Sequence, residues 1–223
     1  MKIVTVACDR YADAAPAWWF LFKDRWSDCP HEVVFVTNRT ELEKVGAPVH
    51  YLDARPDLDF GWRFRKFIRD HYTEEHLLIH MVDYFIKSVD ADLVARAHEL
   101  CALPDIRHVR LRPMPHPQHT YPVPGFGRIA KGSRYCVSLQ PGIWETQVLY
   151  DLCVDGEDPF RTEVYASLKR ARQVQGEFLS TDEWAIVHHN YYNKGNAQGL
   201  DWVRDNVPRE AWPKAVREKY EAT

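Results

Sequence analysis

The run Leu77-Leu78-Ile79-His80-Met81-Val82-Asp83-Tyr84-Phe85 narrows the fold more than any other stretch of this chain. An apolar segment that stops at a lone carboxylate, with helix-like sequence after it, reads as a strand buried on both faces. Such a strand delivers Asp83 to the carboxyl edge of a parallel sheet. Open α/β sheets bind their ligands at that edge. A helix-capping aspartate would explain the same residue structurally, so the ends of the neighbouring strands have to be weighed with it.

Those neighbours alternate. Residues 2–8 and 32–36 read as β-branched strands, the second ending at Thr37-Asn38, and 49–52 as a third. Helical spacing occupies 13–26, where Trp18, Trp19, Phe22 and Trp26 share a face, then 40–45 and 61–71. This order implies an α/β fold with a Rossmann-type, mostly parallel sheet flanked by helices. Right-handed crossovers place the ends of the first, second and fourth strands on one rim. Beyond residue 88 the expectation is a helix over 89–100, a strand over 106–111 and a long loop through Pro113, Pro115, Pro117, Pro122 and Pro124. A strand over 135–139, helices over 143–153 and 157–173, and a strand over 184–187 follow.

The 223 residues suit one domain, read as residues 1–223 with halves 1–100 and 101–223. Arginine and lysine number 29 against 32 acids, so a formal charge of -3 argues against a globally basic nucleic-acid coat. Five cysteines lie far apart with no C-x-x-C spacing, which argues against a zinc knuckle or a disulfide scaffold. The first residues are too short and β-branched for a signal peptide, and no apolar run spans a bilayer. A cytoplasmic location and no membrane span are therefore expected.

At the rim, Asp9, Arg10 and Tyr11 follow the first strand without a glycine-rich turn, which counts against dinucleotide and P-loop fingerprints. An acid for ribose or base, an arginine for phosphate and an aromatic for stacking suit a nucleotide, with Asn38 beside them at the end of the second strand. Trp62, Arg63, Arg65 and Lys66 crowd the start of the helix before the Asp83 strand. Of these, Arg65 is expected to reach a diphosphate, and Arg63 and Lys66 to be solvated.

Asp83-Tyr84-Phe85, Ser138-Leu139-Gln140-Pro141-Gly142-Ile143-Trp144 and Gly156-Glu157-Asp158-Pro159-Phe160 with Glu163 together resemble a group of small bacterial and phage-type GT-A glycosyltransferases. That group carries D-D-Y-F, S-L-Q-P-x-I-W and G-E-x-P-W-x-x-E segments in this order. The resemblance implies a GT-A-like sheet with an acceptor-side mixed extension, and an enzyme moving a sugar from a nucleoside-diphosphate sugar to an acceptor hydroxyl, in an inverting reaction. Residues 1–100 would bind the donor and 101–223 the acceptor. Asp83 would be the surviving acid of a D-x-D-type motif, since Met81 and Val82 stand where another acid is expected. It would hold Mn2+ or Mg2+ with His188 or His189, the latter preferred; otherwise Arg65 and Lys194 would neutralise the diphosphate without metal. Glu157 or Asp158 would be the base and Glu163 their partner, with Tyr84, Gln140 and Trp144 lining the donor site.

From Arg107 to Arg134 every charged residue is basic: Arg107, Arg110, Arg112, Arg128, Lys131 and Arg134, among aromatic and histidine residues. Such a strip suits a polyanionic acceptor, nucleic acid included, the extreme case being a modified base in phage DNA. A nucleotidyltransferase is the enzymatic alternative, and a nucleotide- or glycan-binding protein with a decayed metal site is the non-enzymatic one.

Overall fold

The computed structural model describes residues 1–38, 41–42, 44–52, 60–72, 74–193 and 195–221. Strand β1 (Lys2–Val6) leads through a 3-10 turn over Asp9–Ala14 into helix α1 (Ala15–Arg25). Then come β2 (Glu32–Thr37), β3 (Val49–Tyr51), helix α2 (Phe60–His71) and β4 (His76–Met81). Two residues separate β4 from β5 (Tyr84–Val89), which precedes α3 (Ala91–Cys101) and β6 (Ile106–Arg110). The proline-rich segment carries the short β7 (His119–Thr120) and β8 (Phe126–Ile129). Next are β9 (Gly142–Glu145), α4 (Thr146–Leu152) and α5 (Pro159–Tyr165), which runs on as a π turn over Ala166–Arg170. The chain finishes with β10 (Glu177–Thr181), β11 (Ile186–Asn190), the hairpin β12 (Tyr192–Asn193) and β13 (Asn196–Ala197), and helices α6 (Leu200–Asn206) and α7 (Lys214–Glu221).

Among the described residues one sheet runs in the order β3-β2-β1-β4-β9-β6-β10-β8-β7. Its β3, β2, β1 and β4 are parallel, and β9 and β8 are the strands that reverse. The expected mostly parallel sheet with a mixed extension is thus observed, and it is continuous between the two halves of the chain. Alternation sends Ile3 and Leu78 into a core under α1 and α3, and Val4, Leu77 and Ile79 into a second core under α2 and α4. Burial on both faces explains why β4 reads as an unbroken apolar run.

Four expectations need correction. Asp83 is followed by a strand, because β5 leaves the main sheet to pair antiparallel with β11. Residues 41, 42, 44 and 45 are not helical, and Thr40 and Glu43 lie outside the described residues. The stretch 135–139 is a buried turn: its Val137 N–H goes to Ser167 Oγ (2.9 Å) and its Leu139 N–H to Glu163 Oε1 (2.8 Å), so side chains replace a ladder. The strand lies later, at β9, where Gly142 passes close against the His108 ring. The helix expected from residue 143 accordingly begins at Thr146.

Helix α2 is anchored at its start, where the Gly61 N–H donates to the Glu157 carbonyl (3.1 Å). A Cβ at Gly61 would collide with the Val154 carbonyl. Gly61→Ala is expected to cost about 1–3 kcal/mol by overpacking. The check is a lower urea midpoint at unchanged slope; an unaltered midpoint would mean that α2 moves aside freely.

Candidate active site

The rim is built by backbone pairing that continues past the strands. Ala7 N–H donates to Val36 O (2.7 Å), Val82 N–H to Val6 O (3.0 Å) and Leu52 N–H to Thr37 O (2.8 Å). This brings Cys8, Asn38 and Asp83 to one edge. Facing them are Phe60, Arg63 and Phe64 of α2 and Pro159 of α5, around a cleft of about 270 Å³ that Arg10 and Tyr11 also line.

Asp83 sits in the tight β4–β5 turn, its carbonyl accepting from Tyr191 N–H (2.7 Å). Its carboxylate forms no ion pair among the described residues and is helped only by its own N–H. Burial against the apolar lining raises its pKa to about 6. Tyr84, the next residue, stacks on His188 (4.6 Å between centroids), and its hydroxyl lies near Gln140 and Arg112. Tyr11 stacks on Tyr192 at 4.4 Å, and Arg10 lies against Gly195 of the same hairpin. Asp9 is exposed at the start of the 3-10 turn. The structure therefore gathers Arg10, Tyr11, Asn38 and Asp83 at one cleft, with Tyr84 and Gln140 on its flank. One face of Tyr11 is covered by Tyr192, and the Arg10 guanidinium lies over its ring, 5.8 Å from the centre.

Other expected site residues lie elsewhere. Arg65 pairs with Asp155 (3.3 Å) and packs on Tyr150, facing away from the cleft. The reason is helical phase: Phe60, Phe64, Phe67 and Ile68 form the buried stripe of α2, and Arg63 falls on it whereas Arg65 does not. That stripe was readable in the sequence and would have singled out Arg63. Glu157 is buried and bound by both amines of Arg170 (2.9 and 2.6 Å), so both of its oxygens are already engaged. Asp158 caps α5, accepting from Arg161 N–H (2.7 Å). Trp144 is wholly buried and stacked on His108 at 3.6 Å, so it is core and not a site wall. His189 Nε2 lies 3.2 Å from the Gln198 carbonyl, and its ring packs on Trp202. Lys194 lies outside the described residues.

Glu163 is different. Its Oε1 takes hydrogen bonds from Ser138 Oγ (3.0 Å) and Leu139 N–H (2.8 Å), leaving Oε2 without a bond among the described residues. Burial raises its pKa, and Arg112 beside it acts in the opposite sense.

No group of three metal-ligating side chains occurs among the described residues. Asp83 alone fits only a divalent cation that arrives already held by phosphate oxygens. The basic strip is largely self-neutralised: Arg107 pairs with Glu145 (2.5 Å) and Arg128 with Glu177 (2.9 Å), while Lys131 caps the carbonyls of Val174 and Gly176. Arg110 is buried among carbonyls, so the strip does not present the continuous basic face expected for a polyanion. Among the described residues no helix is long and apolar enough to cross a membrane.

No family model matches the sequence, and no curated protein matches it. Solved structures do. The mannosyltransferase PcManGT from Pyrobaculum calidifontis, in complex with GDP-Man and Mn2+, aligns over 90% of this chain at TM-score 0.55 and 15% identity. The chain spans 59% of that protein's length. The galactosyltransferase LgtC, in complex with donor and acceptor sugar analogues, aligns over 94% of this chain and 98% of its own at TM-score 0.50 and 12% identity. A cytidylyltransferase from Leptospira borgpetersenii aligns over 99% of this chain and 94% of its own, at TM-score 0.50 and 11% identity. At these identities the likeness defines the fold, which is the GT-A-like, Rossmann-type α/β fold.

Two measurements test the site. Folded Asp83 keeps its proton up to about pH 6, against an ordinary carboxyl value of 3.8. Its ionisation therefore costs stability fully above pH 6 and not at all below about pH 4. Asp83→Asn is expected to raise the melting temperature at pH 7.5 and leave it unchanged at pH 4; equal melting at both would show a solvated carboxylate. Glu157→Gln is expected to cost about 2–3 kcal/mol in chemical denaturation by leaving Arg170 unpaired, with nucleotide affinity unchanged. Lost affinity at wild-type stability would return Glu157 to the site.

Proposed function

We propose that the chain is a glycosyltransferase that moves a sugar from a nucleoside-diphosphate sugar to an acceptor hydroxyl. The observation that carries this reading is Asp83: an un-neutralised, desolvated carboxylate at the carboxyl end of β4, in a cleft with Arg10 and Asn38. The fold likeness to a mannosyltransferase and a galactosyltransferase supports it.

In this reading the base and ribose enter between Asn38, Tyr11 and the ends of β1 and β2. The diphosphate lies between Arg10, Arg63 and Asp83. Arg10 and Arg63 supply fixed positive charge where the nucleoside diphosphate departs. A divalent cation carried on the diphosphate would be held from the protein side by Asp83, adding Lewis-acid stabilisation of the leaving group. The acceptor oxygen bonds to the anomeric carbon as the bond from that carbon to the phosphate oxygen breaks. The hydroxyl proton goes to a carboxylate, and Glu163 takes this role in place of Glu157 or Asp158, since its Oε2 has no bond among the described residues and its pKa is raised. Such an in-line displacement inverts the anomeric centre.

The cytidylyltransferase likeness keeps nucleotidyl transfer as the second reading. Against it, the turn after β1 is Cys8-Asp9-Arg10-Tyr11 with no glycine to let backbone amides surround a triphosphate.

Titration calorimetry with UDP-, GDP-, CMP- and dTDP-sugars, with and without Mn2+, decides the donor. One nucleotide sugar is expected to bind, and its affinity is expected to fall about tenfold per pH unit below pH 6 when Mn2+ is present, because the cation needs ionised Asp83. Binding of nucleoside triphosphates with pyrophosphate release would favour the second reading. Glu163→Gln is expected to lower kcat by roughly 100-fold or more with donor affinity within about twofold. Equal losses in both would make Glu163 a structural residue.

A further inference from the structure

A second cavity lies near Tyr84. It has a volume of about 280 Å³ and is lined by Arg112, Met114, Pro115, Tyr135, Ser138 and Gln140. Gln140 and Arg112 both line this cavity and lie close enough to Tyr84, the neighbour of Asp83, to act on its hydroxyl. A ligand there would therefore lie near the residue that follows Asp83.

Arg112 is the charge in its wall. Its Nε donates to the Met114 carbonyl (2.9 Å) and its guanidinium lies 5.0 Å from the centre of the Trp184 ring. Its carbonyl is fixed by Ser180 Oγ (2.8 Å) and Arg110 Nε (3.2 Å). Unlike Arg107 and Arg128, it has no carboxylate within ion-pair distance among the described residues. Glu163 is near enough to be felt but is turned to Ser138 and Leu139. Enclosure disfavours the Arg112 charge. A half-buried guanidinium with its plane locked and its two terminal amines unclaimed among the described residues is pre-organised for a two-oxygen anion. Tyr135 adds an independent sign: it lines the cavity at a φ of 61°, a left-handed conformation that costs a bulky aromatic roughly 1–3 kcal/mol. Such strain persists where neighbours enforce it, and here Arg110 holds the Tyr135 carbonyl (3.4 Å).

We propose that this cavity is an oxyanion subsite in which Arg112 pairs bidentately with a carboxylate or phosphate carried by a glycosyl unit of the substrate. The inference rests on the glycosyltransferase reading and deepens it by naming the substrate class. The anion belongs either to the donor sugar, as in a uronic acid, or to the acceptor, as in an acidic or phosphorylated sugar. Ser138, Gln140 and Tyr135 supply hydroxyl and amide groups for the remaining sugar oxygens.

The test is calorimetry on the whole chain with two matched comparisons: UDP-glucuronic acid against UDP-glucose, and glucuronic acid or glucose 6-phosphate against glucose with the nucleoside diphosphate present. In one of the two, the acid is expected to bind roughly tenfold or more tighter. Preference in the first assigns the anion to the donor, and in the second to the acceptor. Arg112→Met is expected to erase the preference while nucleoside-diphosphate affinity is retained, and Arg112→Lys to restore only part of it, because the fork is lost. Equal affinity for acid and neutral sugars, or an acid preference that survives in Arg112→Met, overturns the proposal. Failures separate cleanly: nucleotide binding without acid preference refutes the subsite alone, whereas Arg112-dependent acid binding without any nucleotide binding refutes the donor reading and keeps the subsite. Should Arg112→Met not fold, the Arg112→Lys comparison decides by the same criterion.

Discussion

The structure turns on the two-residue passage from β4 to β5. Parallel pairing of β1 with β4 continues one hydrogen bond beyond the strands, from Val82 N–H to Val6 O, and Tyr191 N–H then grips the Asp83 carbonyl. A main chain held on both sides leaves Asp83 little freedom, so its carboxylate stands in the cleft whether or not a ligand is there. The same turn sends β5 out of the main sheet to meet β11, and that departure leaves the edge of β4 open for β9. The second half of the chain is thereby attached directly beside the site. Trp18 Nε1 donating to His80 Nδ1 (3.1 Å) ties α1 to the strand beneath this turn.

What could be read from the sequence was what repeats. Period-two alternation and double-sided burial give β1, β2 and β4, whose ends carry Asn38 and Asp83. What escaped was set by partners distant in sequence. The stretch 135–139 has strand composition, yet its amides are claimed by Ser167 and Glu163 of the following helical segment, and no local pattern announces that. Glu157 and Glu163 are alike in a sequence motif. Only the fold brings Arg170 onto the first and leaves the second with an open oxygen. Arg63 and Arg65 were distinguishable in principle, because the aromatic stripe of α2 fixes which side of the helix each occupies.

The proline-rich segment shows how composition misleads about charge. Its run of cations suggests a basic face, but ion pairs and carbonyl caps absorb Arg107, Arg110, Arg128 and Lys131 into the support of β6, β8 and β10. Net charge by segment counts these groups equally, whereas recognition depends on those whose partners are missing. Arg112 is such a group, and it lies where β6 ends, at the same edge of the sheet that presents Asp83.

Two desolvated charges of opposite sign, each without an ion-pair partner among the described residues, thus flank Tyr84 and Gln140. Each costs the unliganded fold free energy in its charged form, Asp83 by ionising in an apolar cleft and Arg112 by losing hydration. They form no ion pair with one another: Asp83 lines the first cavity and Arg112 the second. A ligand that brings positive charge or a cation-bearing diphosphate to Asp83 and negative charge to Arg112 recovers both costs together. In the proposed transferase, binding energy gathered at these two points would position a glycosyl unit, and positioning rather than intrinsic reactivity would lower the transfer barrier. Selectivity follows from the same arrangement: a neutral sugar would leave Arg112 desolvated and unpaired, and an uncharged nucleoside would do the same to Asp83.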